Sequence, residues 1–107
     1  MKSKLFRDYH EDLVKSLRNP KEAQAYLDAA LEHKDKKYFL KAMRNVAEAR
    51  GGVGKLASGT KLNRESLYTM LSEKGNPKMA TVEEVLGFFG LRLAIEVKDR
   101  KLAAAHR

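Results

Sequence analysis

Cysteine is absent from the 107 residues, which excludes a disulfide framework and thiolate metal sites. No stretch approaches the ~20 consecutive apolar residues of a membrane span, and the opening Met1-Lys2-Ser3-Lys4 is followed by no apolar run of signal-peptide length. The chain therefore reads as cytoplasmic, with no membrane partner. Internal repeats and low-complexity linkers are also lacking. His10, His33 and His106 are the three histidines, far apart, with no second His or thiol at ligand spacing and no nucleophile beside a general base. Neither catalysis, nor a metal, nor a cofactor is expected. Gly51-Gly52-Val53-Gly54-Lys55 invites comparison with a phosphate-cradling loop, but that motif needs two Gly spaced by four residues and then Lys with Ser or Thr. Leu56 follows Lys55, so nucleotide hydrolysis is set aside.

What is present is a soluble, foldable composition, 43% hydrophobic and 34% charged, with 22 Lys and Arg against 14 Asp and Glu. One domain spanning 1–107 is expected, because a chain of this size buries a core of its own. The formal net charge of +8 attracts polyanions and makes nucleic acid the first partner to consider. Basicity also serves plain solubility, so the functional reading has to come from pattern.

Helical periodicity dominates residues 8–90. Phe6, Tyr9, Leu13 and Leu17 recur at helical spacing, with Asp8 and Glu11 forming a capping-box signal. Asn19 then caps a second helix with Pro20 at its first position, and Ala23, Tyr26, Leu27, Ala30 and Leu31 form its buried stripe to about residue 33. Asp35 is placed to cap a third helix with Phe39, Ala42, Met43, Val46 and Ala47 inside, stopped by Gly51-Gly52. Tyr26, Tyr38, Phe39 and Phe89 fall on or beside apolar stripes and are read as core residues.

Beyond residue 53 come two short helices. The first carries Val53, Leu56 and Ala57, and the second starts at Asn63 after a tight connection through Gly59-Thr60-Lys61. Thr81 and Glu84 form another capping box ahead of Val82, Val85, Leu86 and Phe89, with Gly90 as the stop. Leu91, Leu93, Ile95 and Val97 alternate with Arg92, Ala94, Glu96 and Lys98, the period-2 pattern of a half-buried strand. The expected layout is N-terminal helices over 8–33, a core over 35–90, a strand over 91–98 and a flexible tail over 99–107.

The two short helices have the pattern of a helix-turn-helix. Ala57 is small where the second helix crosses, and Leu62 and Leu67, five residues apart, anchor the second helix to the core. With Leu67 inward, Asn63, Arg64, Glu65, Ser66, Tyr68 and Thr69 occupy accessible positions able to enter a major groove. Arg64, Glu65 and Thr69 are expected at base edges, and Asn63 and Ser66 at phosphates. Lys55 on the first short helix, and Lys74, Asn76 and Lys78 in the following loop, complete the expected DNA contacts.

These residues resemble a known family. Ala25-Tyr26-Leu27-Asp28-Ala29-Ala30-Leu31-Glu32, Phe39-Leu40-Lys41-Ala42 and Val46-Ala47-Glu48-Ala49-Arg50-Gly51 are similar to blocks of the bacterial addiction-module antidote proteins. So are Leu56-Ala57, Leu62-Asn63-Arg64-Glu65-Ser66-Leu67-Tyr68, Gly75-Asn76-Pro77 and Leu86-Gly87-Phe88-Phe89-Gly90-Leu91-Arg92-Leu93. The resemblance spans about residues 8–98. Together with the periodicity above, it gives an all-α, lambda-repressor-like bundle of about six helices with one short C-terminal β-strand as the expected fold. It further implies an antitoxin that neutralises a RelE-like, ribosome-dependent mRNA-cleaving toxin and represses its own operon through a Cro-type domain.

One position departs from the pattern. The turn residue four places after Ala57 is commonly Gly because the chain there turns left-handed, and here it is Lys61, at a cost of ~1–2 kcal/mol in that conformation. A homodimer is expected, because a lone strand formed by Leu91, Leu93, Ile95 and Val97 needs a second copy or a partner's sheet to pair with. The competing readings are a protein-interaction module whose charge aids only solubility, and a phage-type regulator without a toxin partner.

Overall fold

The computed structural model describes residues 4–98. Six helices follow one another: α1 (Lys4–Ser16), α2 (Pro20–Leu31), α3 (Lys37–Ala49), α4 (Val53–Gly59), α5 (Arg64–Met70) and α6 (Met79–Phe88). The centre of the bundle is α3, which packs against α1, α2 and α4, while α4 carries α5 and α6.

Helix ends follow from local chemistry. The Asn19 side chain accepts from the Lys21 backbone N–H at 2.9 Å, and Pro20 opens α2, where a missing N–H costs nothing. Asp35 Oδ1 accepts from the Lys37 N–H at 3.0 Å, so Asp35 serves the start of α3 as its position foretold. Gly51, at φ 104°, ends α3, with Gly52 N–H reaching the Ala47 carbonyl at 2.8 Å and Gly51 N–H the Glu48 carbonyl at 3.2 Å. Gly90, at φ 81°, ends α6 in the same way, with Leu91 N–H bonded to the Leu86 carbonyl at 2.8 Å and Gly90 N–H to that of Gly87 at 3.0 Å. This paired closure satisfies carbonyls the helix leaves open and needs a left-handed residue.

The core is continuous from Leu17 and Leu27 through Met43, Val46 and Leu56 to Leu67, Val85 and Phe89. Each such fully buried side chain contributes on the order of 1.5–3 kcal/mol relative to exposure. One polar side chain enters it. Asn45 is buried, and its Nδ2 donates to the Tyr26 hydroxyl at 2.8 Å, tying α3 to α2.

Several expectations need correction. Among the described residues there is no β-strand: Leu91 packs against the core, but Leu93, Ile95 and Val97 are exposed and their backbone joins no ladder. Alternation marks a face fit for burial, and a strand also needs a neighbour to exchange hydrogen bonds with, which this single chain does not supply over 91–98. The tail over 99–107 lies outside the described residues.

The helix at the N-terminus is already formed at Lys4, ahead of the Asp8 and Glu11 capping box. Phe6 and Tyr9 were expected on its buried stripe, yet they are 62% and 71% exposed, while Val14 and Leu17 do the packing. Tyr38, also read as core, is exposed and stacks on His33 with ring centroids 4.2 Å apart. At the other end α6 starts at Met79, two residues before Thr81, and Glu84 accepts from the Lys61 backbone N–H at 3.3 Å instead of capping its own helix. Finally, no described residue other than glycine has positive φ, so Lys61 is not left-handed. Thr60 closes this turn, donating to the Leu56 carbonyl at 2.8 Å and accepting from the Leu62 N–H at 3.2 Å.

Candidate nucleic-acid interface

The candidate surface is built on α5. Asn63 sits just before it in extended conformation, and its side-chain oxygen accepts from the Glu65 and Ser66 N–H groups at 2.8 and 3.2 Å. Asx residues favour this position because they satisfy donors that the first turn leaves open. Leu67 and Met70 turn inward with Leu71, and Leu62 packs on the core just ahead of the helix. Seven residues thus suffice to fix the rotation of α5, leaving Arg64, Glu65, Ser66, Tyr68 and Thr69 exposed.

Two of these side chains lean on one another. The Arg64 guanidinium carbon lies 5.9 Å from the centre of the Tyr68 ring, within cation–π range. The same guanidinium lies over Gly54 of α4, where a β-carbon would stand 3.7 Å from an Arg64 terminal nitrogen. Arg64 is therefore draped across the junction of α4 and α5, with its charge outward. Thr69 donates from Oγ1 to the Glu65 carbonyl at 3.2 Å, and Ser72 donates to the Thr69 carbonyl at 2.7 Å.

The loop after α5 folds back against it. Glu65, Ser66, Thr69, Met70, Asn76 and Pro77 line an open cleft of about 440 Å³. Gly75 is buried against the Met70 carbonyl, which brings Asn76 to the cleft wall. Lys74 and Lys78, which flank this segment in sequence, are exposed. Lys55 is exposed on α4, its aliphatic stem crossing Gly51, where a β-carbon would come within 2.9 Å of it. Of the residues singled out from sequence, Glu65, Ser66, Thr69 and Asn76 share the cleft. Leu91, Leu93, Ile95 and Val97 follow α6 and are not among the residues lining this cleft.

One residue of this surface escaped the sequence reading. Lys36, at the start of α3, donates from Nζ to Asn76 Oδ1 at 2.6 Å, adding a cation to the loop from forty positions away in sequence. The only advance signal was the basic Lys36-Lys37 pair itself. Among the described residues no group of acidic, His or Cys side chains is arranged to hold a metal ion, and no helix is long and apolar enough to cross a membrane.

Comparison with known proteins gives this surface its context. No solved structure matches the chain. A protein of Haemophilus influenzae strain Rd, described only as an uncharacterized protein, is 32% identical over 85 residues, covering 79% of this chain and 87% of that one. The family described as "probable addiction module antidote protein" matches residues 9–97, so all six helices contribute to the match. The chain belongs to the addiction-module antidote family.

Proposed function

We propose that this protein is the antitoxin of a type II toxin–antitoxin module and a DNA-binding repressor of its own operon. The antidote family brings a cognate toxin as partner. On the resemblance of its sequence blocks, that toxin is a RelE-like mRNA-cleaving protein. The observation that carries the DNA half is the α4–α5 pair, in which a rigidly capped short helix buries Leu67 and presents Arg64, Glu65, Tyr68 and Thr69 outward. Such a pair is a helix-turn-helix of the Cro and lambda-repressor type, with α5 in the major groove.

Electrostatics supports this placement. Lys36 reaches Asn76 in the loop after α5, and Lys55, Lys74 and Lys78 are exposed on α4 and beside that loop in sequence; these cations suit phosphates, while Arg64 and Thr69 on α5 suit base edges. Asn63 and Ser66 lie at the start of α5, within reach of the same backbone.

The protein acts in the cytoplasm as a homodimer, without catalysis or a cofactor. Two copies of α5 then meet half-sites about one helical turn apart. The exposed side chains of Leu93, Ile95 and Val97 supply apolar surface for that association.

Titration of the protein against its own upstream DNA and against scrambled duplex, at several salt concentrations, tests the repressor half. A specific complex that weakens with salt is expected, and equal affinity for both duplexes would leave a protein-interaction module. Growth rescue by this chain when the adjoining reading frame is expressed tests the antitoxin half. Specific DNA binding without any such rescue would point to a phage-type regulator.

A further inference from the structure

The segment that follows α6 leaves both hydrogen-bonding groups and charges unmatched. Leu91 N–H closes the helix end, but the backbone of residues 92–98 makes no hydrogen bond to any described residue. Arg92 and Glu96 are exposed, and neither forms an ion pair with a described residue. In an extended chain their spacing puts both on one face, ~13 Å apart, too far for a close pair with each other.

The order of the residues answers both deficits when a second copy runs antiparallel with Ala94 on the two-fold axis. Arg92 then stands opposite Glu96 of the second copy, and symmetry makes that pair twice. On the other face Leu93 meets Ile95 and Leu91 meets Val97, so apolar side chains stay together, while Lys98 faces Gly90 and no second charge. Neighbouring registers lack this match. Centred on Ile95, Arg92 would face Lys98; centred on Glu96, two carboxylates would meet on the axis; centred on Leu93, Arg92 would face Ala94 and Glu96 would face Gly90. A centre between residues would mix the two faces. A foreign strand edge has no reason to carry this charge spacing, whereas a self-complementary segment matches its own copy by symmetry.

A two-stranded ribbon also needs a helical surface to lie on. Leu91 packs on the core, and a groove of about 420 Å³ beside the segment is lined by Leu27 and Leu31 of α2 with Phe39, Leu86 and Leu93. Ile95 is fully exposed in its own chain. Opposite Leu93 in this register, it would reach the groove of the second copy. The charged groups on that groove's wall are Asp28, Arg92 and Glu96, an acidic excess that favours an incoming arginine.

We propose that residues 91–97 pair antiparallel with the same residues of a second copy about Ala94, and that Arg92 and Glu96 fix the register and select the second copy. The inference rests on the homodimer reading above and adds its contact. Because α6 packs on α4, which carries α5, this register sets the separation of the two copies of α5. A slip of two residues would change it by ~7 Å.

Sedimentation of the full chain at low and high salt measures the dimer constant. Arg92→Glu and Glu96→Arg each set like charges face to face twice, and each is expected to weaken the dimer by about tenfold or more at low salt. Arg92→Glu combined with Glu96→Arg reverses both pairs and should return to within about threefold of wild type. The axis is read with thiols, since the chain has no cysteine. Ala94→Cys is expected to give a disulfide-linked dimer under mild oxidation, and Lys98→Cys, ~26 Å from its counterpart in this register, none. Should a charge variant lose helicity, the two thiol variants decide the matter. A charge reversal no tighter than the single variants overturns the proposal, as does cross-linking at 98 and not at 94. A dimer that ignores all three charge changes also overturns it, and leaves the homodimer to another surface. Single variants that spare the dimer but weaken binding to the protein of the adjoining reading frame would assign the segment to that protein's sheet instead. A wild-type chain that stays monomeric removes the homodimer reading and this inference with it, an outcome separate from loss in the variants alone.

Discussion

Gly75 lies against the backbone carbonyl oxygen of Met70, so that a β-carbon at position 75 would overlap it. The loop after α5 can fold back over the end of that helix only with no side chain there, and Gly75 N–H completes the turn by bonding to the Ser72 carbonyl at 3.0 Å. Position 75 does not have positive φ, so the need for glycine is one of space. Gly75→Ala forces backbone to move, since a main-chain oxygen has no rotamer to escape into. A loss of ~1–3 kcal/mol is expected, as for other overpacked positions. In a thermal melt this is a drop of roughly 4–8 °C per kcal/mol for a chain of this size. An unchanged melting temperature would mean that the loop does not pack on Met70.

The hydrogen bond between Asn45 and Tyr26 sets a second expectation. Tyr26→Phe keeps the ring but leaves the buried Asn45 amide without its acceptor, which costs ~1–3 kcal/mol. Replacing Asn45 with Leu as well removes the stranded donor, so the double variant should recover part of the loss. Urea denaturation of the two single variants and the double would reveal the coupling. Strict additivity would show that the two groups do not interact.

Lys61 gives the opposite of what its sequence position foretold. A lysine held left-handed would be relieved by glycine, but Lys61 has ordinary negative φ and its N–H is held by Glu84. Lys61→Gly therefore adds freedom to the unfolded chain without removing strain, and should cost ~0.4–1 kcal/mol. A higher midpoint in urea would be the contrary result.

What was legible in the sequence is what depends on neighbours a few residues away. Asn19, Asn63, Gly51 and Gly90 announce helix ends because a cap is a bond between positions two to five apart, and the structure makes those bonds. The inward face of α5 followed from Leu62 and Leu67 for the same reason. What stayed hidden depends on distant partners. Lys36 meets Asn76 across forty positions, and Glu84 leaves its own helix end for Lys61. The stripe through Tyr9 and the alternation after Gly90 each reported apolar residues correctly but named no partner to cover them. Periodicity states which side chains share a face; only tertiary structure states whether that face is covered.

The last expectation concerns how DNA is read, and it turns on the different settings of Arg64 and Lys78. Arg64 heads α5 with its guanidinium over Gly54 and 5.9 Å from the Tyr68 ring, so its reach is limited and its direction set before DNA arrives. A planar group held in this way suits the bidentate contact with a guanine edge. Lys78 lies exposed before α6, on a flexible stem suited to a phosphate. Arg64→Ala is therefore expected to cost ~1–3 kcal/mol on the operator and to relax base preference at one position in each half-site. Lys78→Ala should weaken operator and scrambled duplex alike and reduce the slope of log affinity against log salt by about one. Tyr68→Phe retains the ring beneath Arg64 and should leave preference intact, whereas Tyr68→Ala removes that support and should shift preference in the direction of Arg64→Ala. Circular dichroism should show full helicity in all four variants, because each altered side chain is exposed. If Arg64→Ala left both affinity and preference at wild-type values, α5 would not be the element that reads the operator. The basic surface of Lys36, Lys55, Lys74 and Lys78 would then have to bind without help from base contacts, by phosphate attraction alone.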